Sequence, residues 1–313
     1  MTIEGSGRVH SHIRKSICIF VDPFLLMYNI YSSIATNPGL FRQLCCGESL
    51  ITIFNCPLEN RFQDTWSHHN YIVYVMEGRK IWHTPNGSYD LNPPQCVFVR
   101  RGASIVEQFD DATFCLILFF VPDDFIVDVL KTKTNPIRNT QQNHQPVISI
   151  SHSPSTQAFF HSMMPYFESG REPDSSLLQL KFRELILSIA DNPDNKELLS
   201  YFSSLLQEPQ NVSLQRIMDD NFCFNLKLED FAKLSCRSVS AFKRDFLKIY
   251  NTSPGKWLLA KRLDHSLHLL TNLGKTVSDA AFESGFESPS HFSRCFRDRF
   301  GMPPAGAKQK AFF

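Results

Sequence analysis

The sequence lacks several features that would place it in a particular class of protein. Its 313 residues include nine cysteines, an odd number, and no Cys-x-x-Cys pair that would indicate a zinc clip. We therefore expect reduced thiols, which are typical of a cytoplasmic protein. No signal peptide is recognised, because the apolar run 17–21 stops at Asp22-Pro23. The longest apolar run, 114–121, is too short to cross a bilayer, so no membrane partner is expected.

The chain also lacks an overall excess of charge, with 32 basic and 31 acidic residues. The balance hides an asymmetry between its two parts. From residue 211 onward there are 16 Lys and Arg against 10 Asp and Glu, whereas residues 1–210 carry 16 against 21. Such an asymmetry indicates that the C-terminal part faces phosphates and the N-terminal part does not.

One pattern occurs twice in the C-terminal part, displaced by fifty residues. The segment Phe242-Lys-Arg-Asp-Phe246 returns as Phe292-Ser-Arg-Cys-Phe296, and Pro254 returns as Pro304. A repeat at this spacing is typical of a duplicated supersecondary unit. Each copy predicts a helix, a turn and a second helix.

The second helix of each copy is predicted to begin at a serine cap, Ser238 or Ser288. The two phenylalanines that follow are four residues apart and share a buried face, which leaves polar residues outside. Exposed basic side chains on a short capped helix suit the major groove of DNA. We expect six residues of the two polar faces to read bases: Ser240, Lys243, Arg244, Ser290, His291 and Arg294. Lys248 and Arg297 are expected to contact phosphates.

The ordered signature 280–303, which contains Ala280-Ala281, Gly285-Phe286, Arg294 and Gly301, resembles the DNA-binding domain of the AraC/XylS family. The resemblance covers about the last third of the chain. It implies two helix-turn-helix units joined by a linker helix, here 254–271, with recognition helices in successive major grooves. The sequence departs from the family at its end, where Ala-Gly-Ala-Lys308 follows Pro304 in place of the usual Pro-x-x-Tyr/Phe-Arg.

Short apolar or alternating runs separated by turn signals indicate strands from Ser16 to about Asp128, hence a β-sandwich or small barrel. The segment 66–78 resembles the first strand pair of a cupin barrel. Cupin enzymes bind a metal through His-x-His, but His68 and His69 are adjacent and would point to opposite faces. We therefore expect neither a metal nor another cofactor. Residues that would line an effector pocket are Trp66, His68, Tyr71, Tyr74 and Trp82.

A helical period replaces the strand pattern after the polar segment 132–146. We expect three helices within 155–206, and the second, which starts near Asp174, is apolar around much of its circumference. This apolar excess favours a homodimer surface, and an intrachain layer beneath the barrel is an equal alternative.

The expected architecture is multidomain α+β. It comprises a cupin-like antiparallel β-barrel (1–150), a helical segment (151–210) and an all-α tandem helix-turn-helix domain (211–313). The leading hypothesis is a sequence-specific transcription regulator, controlled by a small molecule or a protein at its barrel. The alternatives are a metal-dependent cupin enzyme with a helical accessory domain, and an N-terminal half that only binds proteins. No Ser-His-Asp, paired-carboxylate or Gly-rich phosphate motif supports catalysis.

Overall fold

The structure is a computed structural model. It describes residues 27–54, 61–109, 115–137, 144–151, 153–169, 172–207 and 213–310. The strand expected at 17–21 lies outside these ranges. Within the described ranges, none of the helices combines the length and the apolar character needed to cross a lipid bilayer.

The N-terminal part is rich in β-structure, as predicted. Its described strands are β1 (Tyr28–Asn29), β2 (Gln43–Cys46), β3 (Ser49–Phe54), β4 (Phe62–Ser67), β5 (Asn70–Glu77), β6 (Lys80–Thr84), β7 (Gly87–Leu91), β8 (Cys96–Val99), β9 (Gly102–Gln108), β10 (Cys115–Val121) and β11 (Val147–Ile150). They form a five-stranded sheet in the order β1-β4-β9-β6-β7 and a six-stranded sheet in the order β11-β8-β5-β10-β3-β2. Strand β1 pairs with β4 in parallel, and the other pairs are antiparallel. Among the described residues no strand pairing joins the two sheets into one closed barrel, so the expected barrel is seen here as two sheets.

The six-stranded sheet is buried on both faces. In β5, Tyr71 and Val73 pack into the core between the sheets, whereas Ile72 and Tyr74 pack into a second core beneath the helices. Successive side chains of a strand point to opposite faces, so a strand covered on both sides needs a continuous apolar run. This explains why the sequences of β5 and β10 show no polar alternation.

Five helices accompany the sheets in the described part of the N-terminal half: α1 (Ile30–Ala35), α2 (Asp123–Lys131), α3 (Pro154–Glu168), α4 (Ser175–Asp191) and α5 (Lys196–Gln207). The start of α4 is confirmed, because the Asp174 side chain accepts a hydrogen bond from the Ser176 N–H. Helix α2 corrects the strand expected up to Asp128. Pro122 ends β10, and two acidic residues in the first turn favour a helix. Most apolar residues of α4 are buried in the core beneath the sheet, although Leu177 and Leu180 are 40% and 65% exposed.

The C-terminal part is all-α within its described residues, as predicted. Its helices are α6 (Leu214–Asn221), α7 (Leu228–Leu234), α8 (Val239–Tyr250), α9 (Pro254–Thr271), α10 (Val277–Glu283), α11 (Pro289–Phe300) and α12 (Pro304–Lys310). Helix α9 has the bounds predicted for the linker helix. The helical unit before α9 and the helical unit after it each have a separate apolar core. The first core contains Phe242 and Phe246, and the second contains Phe292 and Phe296.

The N-terminal sheets contact the first helical unit directly. Trp66 and Ala103 are buried in the same core as Leu214, Ile217 and Met218. This contact could not be inferred from local sequence patterns, because more than a hundred residues separate the two sides. It buries Trp66, one of the residues predicted to line an effector pocket.

Candidate nucleic-acid interface

Helices α8 and α11 begin in the same way. The Ser238 hydroxyl accepts a hydrogen bond from the Ala241 N–H at 3.2 Å, and the Ser288 hydroxyl accepts one from the His291 N–H at 3.4 Å. Each bond satisfies one of the N–H groups that the first helical turn leaves unpaired. Both predicted caps are confirmed.

The two helices also share their buried face. Phe242, Phe246, Phe292 and Phe296 are all fully buried, and the ring centroids lie 5.8 Å apart in the first pair and 5.4 Å apart in the second. Burying one phenylalanine contributes about 1.5–3 kcal/mol, so these pairs fix the rotation of each helix against its own core. The polar face is thereby turned outward.

The helices end alike as well. Asn251 and Gly301, fifty residues apart, follow α8 and α11 in the left-handed conformation, with φ of 50° and 70°. Their N–H groups donate to the carbonyls of Leu247 and Arg297. Asparagine and glycine adopt this conformation at lower cost than other residues, which explains their places in the repeat.

The polar residues predicted to bind DNA all lie on the outward faces. The following side chains are exposed: Ser240, Lys243, Arg244, Lys248, Ser290, His291, Arg294 and Arg297. Geometry therefore permits each of them to meet a ligand. Their individual roles in base reading and phosphate contact remain predictions.

The two exposed arginines at matched positions differ in their neighbours. Arg244 Nε lies 3.2 Å from Asp245 Oδ1, and Arg237 Nε lies 3.3 Å from Asp245 Oδ2. The Arg244 hydrogen bond, followed by that of Arg237, lowers the pKa of the Asp245 carboxyl. Arg294 forms no salt bridge with any residue that the structure describes. The guanidinium of Arg294 is thus available without loss of an intramolecular ion pair.

The junction between the two helical units is fixed by a glycine. Gly285 has φ of +84°, and a Cβ atom placed on it would lie 2.5 Å from the carbonyl oxygen of Cys223. The turn of the second unit therefore packs directly on the backbone that follows α6. Arg262 of the linker helix joins the same junction by donating to the carbonyls of Phe222 and Phe224, at 2.7 and 2.8 Å.

These contacts give Arg262 a structural role. Lys261 Nζ lies 2.9 Å from Asp219 Oδ1, and the Arg262 guanidinium is occupied by two carbonyls. Both side chains tie the linker helix to α6 and its following turn, which holds the two recognition helices in a fixed arrangement.

Comparisons with known proteins match both halves of the chain. Residues 70–201 match the family model described as the ExsA N-terminal regulatory domain, and residues 231–310 match a helix-turn-helix domain. The virulence regulon transcriptional activator VirF of Yersinia enterocolitica is 28% identical over 240 residues, covering 76% of this chain and 88% of that protein. The regulator ExsA of Pseudomonas aeruginosa is 26% identical over 255 residues, covering 73% and 91%.

The chain belongs to the AraC/XylS family. Its C-terminal helix-turn-helix units and its N-terminal regulatory domain make it a DNA-binding transcription regulator and not an enzyme. The solved structure of apo ToxT from Vibrio cholerae is 12% identical and covers 84% of this chain and 97% of that one, with a TM-score of 0.39.

The five residues predicted to line an effector pocket in this AraC/XylS regulator do not converge on one cavity. Tyr71 and Trp82 meet in the core between the sheets, where Trp82 Nε1 donates to the Tyr71 hydroxyl at 3.2 Å. Tyr74 lies on the opposite face of β5 and stacks on Phe160, with 4.4 Å between ring centroids. Trp66 is buried against the DNA-binding unit.

The cavity beside Tyr71 and Trp82 has a volume of about 20 Å³. That volume holds about one water molecule and no organic effector. The interior between the sheets is therefore packed in this state.

His68 lies near the boundary between the two halves of the chain. Its Nδ1 is 2.9 Å from the Asn29 amide nitrogen, and its ring lies 4.3 Å from that of His69. Burial, and then the charges of Lys233 and Arg101, lower the pKa of His68 to about 4. Burial, and then His68 and Arg101, lower the pKa of His69 to about 3. In the described part of the chain, no group of three or more His, Cys, Asp or Glu side chains is placed to hold a metal ion.

The polar contacts of the domain boundary were not predicted from the sequence. Asn221 Oδ1 accepts a hydrogen bond from the Ala103 N–H at 2.7 Å, while its Nδ2 donates to the Ile217 carbonyl. Arg101, whose side chain is 7% exposed, contacts Asp123 and also donates to Cys236 Sγ at 2.8 Å. The adjacent pair Arg100-Arg101 was the available signal, because two arginines beside an apolar strand need nearby partners.

Proposed function

We propose that this regulator binds promoter DNA by placing α8 and α11 in successive major grooves. Ser240, Lys243 and Arg244 would read base edges in one groove, and Ser290, His291 and Arg294 in the next. Lys248 and Arg297 would contact phosphates. The observation that carries this proposal is the match between two helices with equal caps, buried phenylalanine pairs and exposed polar faces.

Substitution of Arg294 tests base reading, because this guanidinium gives up no ion pair on binding. Arg294→Ala should weaken binding to the specific site by about 1–3 kcal/mol, roughly 5- to 150-fold, and leave binding to random DNA nearly unchanged. Titration of the full chain with both DNA duplexes at one salt concentration measures this difference.

Arg299→Ala is the matched control on the same helix, since it removes the same charge from a side chain that is paired with Asp264 at 2.8 Å. We expect Arg299→Ala to weaken binding to the specific duplex and binding to the random duplex to the same extent. If Arg294→Ala also weakens both equally, Arg294 does not read bases.

We further infer that the N-terminal domain (1–150) controls DNA binding through its contact with α6 and α7, with 151–210 as the helical segment and 211–313 as the DNA-binding domain. Arg100 Nη2 lies 3.3 Å from Asp220 Oδ2, and Asn221 and Cys236 also contact this domain. A signal that shifts β9 would reach α6 through two polar contacts and one shared apolar core, and it would reach the residue Cys236, which follows α7, through a third polar contact. Activation of transcription is the expected outcome of this control.

Two kinds of signal can be distinguished by the structure. The packed interior between the sheets favours a protein partner that binds the outside of the domain. A small effector would have to open the cupin-like pair of sheets around Tyr71 and Trp82.

The exposed Leu177 and Leu180 on α4 support a homodimer, because large apolar side chains are seldom left adjacent and uncovered. A cytoplasmic location, with the protein on the nucleoid when bound to DNA, fits this function.

A further inference from the structure

The edge of the six-stranded sheet borders a cleft whose lining includes no residue of α8 or α11. Strand β2 is the last strand of this sheet, and within the described residues it pairs with β3 alone. Tyr166 near the end of α3, together with residues 172–178 at and before the start of α4, lies opposite. The cleft between them has a volume of about 530 Å³. Its lining includes Arg42, Gln43 and Cys45 on one side and Tyr166, Glu172 and Leu178 on the other.

The register of the β2–β3 hairpin decides which main-chain groups face outward. A two-residue turn, 47–48, joins the strands, so Cys46 and Ser49 form the hydrogen-bonded pair that closes the turn. Hydrogen-bonded pairs recur at every second position of an antiparallel ladder. The N–H and C=O groups of Gln43 and Cys45 therefore point away from β3, and these two residues line the cleft.

Those outward groups have no partner in the described part of the chain. No hydrogen bond to the main-chain N–H or C=O group of Gln43 or Cys45 is found there. The side-chain Oε1 of Gln43 is buried and also has no hydrogen-bond partner among the described residues. A strand edge in this state is a template for another strand.

The dimensions and charges of the cleft indicate what fits. The product of the rise per residue, the spacing between strands and the spacing between sheets gives a volume of about 160 Å³ for one strand residue. The cleft therefore has room for about three to four residues of an extended peptide. Leu44 and Leu178, both buried, provide an apolar floor. Arg42 precedes β2, whereas Glu172 lies near Cys45, whose thiol pKa is raised by burial and then by this carboxylate. The carboxylate of Glu172 would repel a phosphate, which argues against a phosphorylated ligand. A compact small molecule would leave the main-chain groups of the strand edge without hydrogen-bond partners, which favours an extended peptide.

We propose that β2 accepts an added strand from a protein partner. The partner segment is an extended peptide of about four residues. It has an apolar side chain toward Leu178, an acidic residue near Arg42 and a basic residue near Glu172. This inference is independent of how α8 and α11 bind DNA.

A phage-displayed library of random linear octapeptides, selected on the full chain, tests the proposal. Cys45→Pro removes the outward N–H and leaves the hydrogen bonds of Leu44 and Cys46 to β3 in place, because edge positions tolerate proline. Enriched peptides should bind Cys45→Pro about tenfold more weakly, the effect of one lost main-chain hydrogen bond. They should bind Cys45→Ala, the matched control, as they bind the unaltered chain. They should also slow hydrogen exchange at the Gln43 and Cys45 amides.

A second variant keeps the proposal testable if Cys45→Pro does not fold. Selection on Glu172→Lys should replace the basic residue of the enriched peptides by an acidic one. The proposal is overturned if no peptide is enriched on the unaltered chain, or if peptides bind the proline and alanine variants equally. It is also overturned if the two amides are already protected in the free chain, which would indicate an occupant from the chain itself. A lower molecular mass of Cys45→Pro in solution would show that β2 pairs two copies instead.

Discussion

At the scale of single residues, His68 and His69 link the domain boundary to pH. Their neighbours include Lys233 on α7, Arg101 before β9, and Glu48, whose Oε2 lies 3.9 Å from His69 Nε2. Burial lowers the pKa of both imidazoles from 6.5 to about 4 and about 3. The unfolded chain therefore binds protons at these residues that the folded chain does not.

Stability should consequently be full above pH 6.5 and fall as pH decreases from 6.5 toward 4. Burial also lowers the pKa of His144 and His265, so they contribute to the same loss. In the double variant His68→Gln/His69→Gln, chemical denaturation should show a smaller difference in unfolding free energy between pH 7 and pH 5. An unchanged difference would mean that neither histidine is held neutral by the fold.

Lys248, in the last turn of α8, is expected to contact a phosphate and to carry no sequence information. Lys248→Ala should lower the slope of log K against log salt by about 1, because about one counterion fewer is released. The preference for the specific site over random DNA should stay the same. Lys131→Ala on α2 removes the same charge far along the sequence from the recognition helices, and it should leave the slope unaltered. Equal slopes for all three proteins would exclude the phosphate contact.

At the scale of elements, the turn between α10 and α11 depends on Gly285. Gly285→Ala forces a side chain into left-handed φ and places its Cβ 2.5 Å from the Cys223 carbonyl oxygen. We expect a loss of about 2 kcal/mol or more in unfolding free energy, measured by denaturant titration. Gly255→Ala in α9 meets no atom within 4 Å and should stabilise slightly. A Gly285→Ala protein as stable as Gly255→Ala would show that the two units are not packed as described.

Elements set by nearby residues were predictable from the sequence. The serine caps, the phenylalanine pairs and the bounds of α9 depend on residues within about one or two turns, and the structure confirms them. The grouping of Tyr71 with Tyr74 was wrong for a local reason that the sequence contained. Three positions apart on one strand, they must point to opposite faces.

Other contacts depend on the tertiary structure and left no local signal. Asn221 is 118 positions from Ala103, yet it provides the acceptor for the Ala103 N–H. Trp66 was expected in an effector pocket, but the packing of α6 against β4 and β9 covers it. Such pairings are decided when separate units dock, so neither residue type nor spacing predicts them.

At the scale of the whole molecule, the regulator joins two helical units, which carry α8 and α11, to a domain that contacts the first of these units. Arg262, Lys261 and Gly285 hold the units together, while Asn221 and Arg101 connect the first unit to the N-terminal sheets. A change at the sheets would therefore act on the position of both helices together.

Selection of binding sites from randomised DNA measures whether α8 and α11 read two neighbouring grooves. The full chain, Arg244→Ala and Arg294→Ala are each used to select and sequence bound duplexes. We predict that each variant loses base preference within a different short block, with the two blocks about one helical turn, roughly 10 base pairs, apart. If both variants lose preference at the same positions, or if neither alters the selected sequence, the two helices do not read successive grooves.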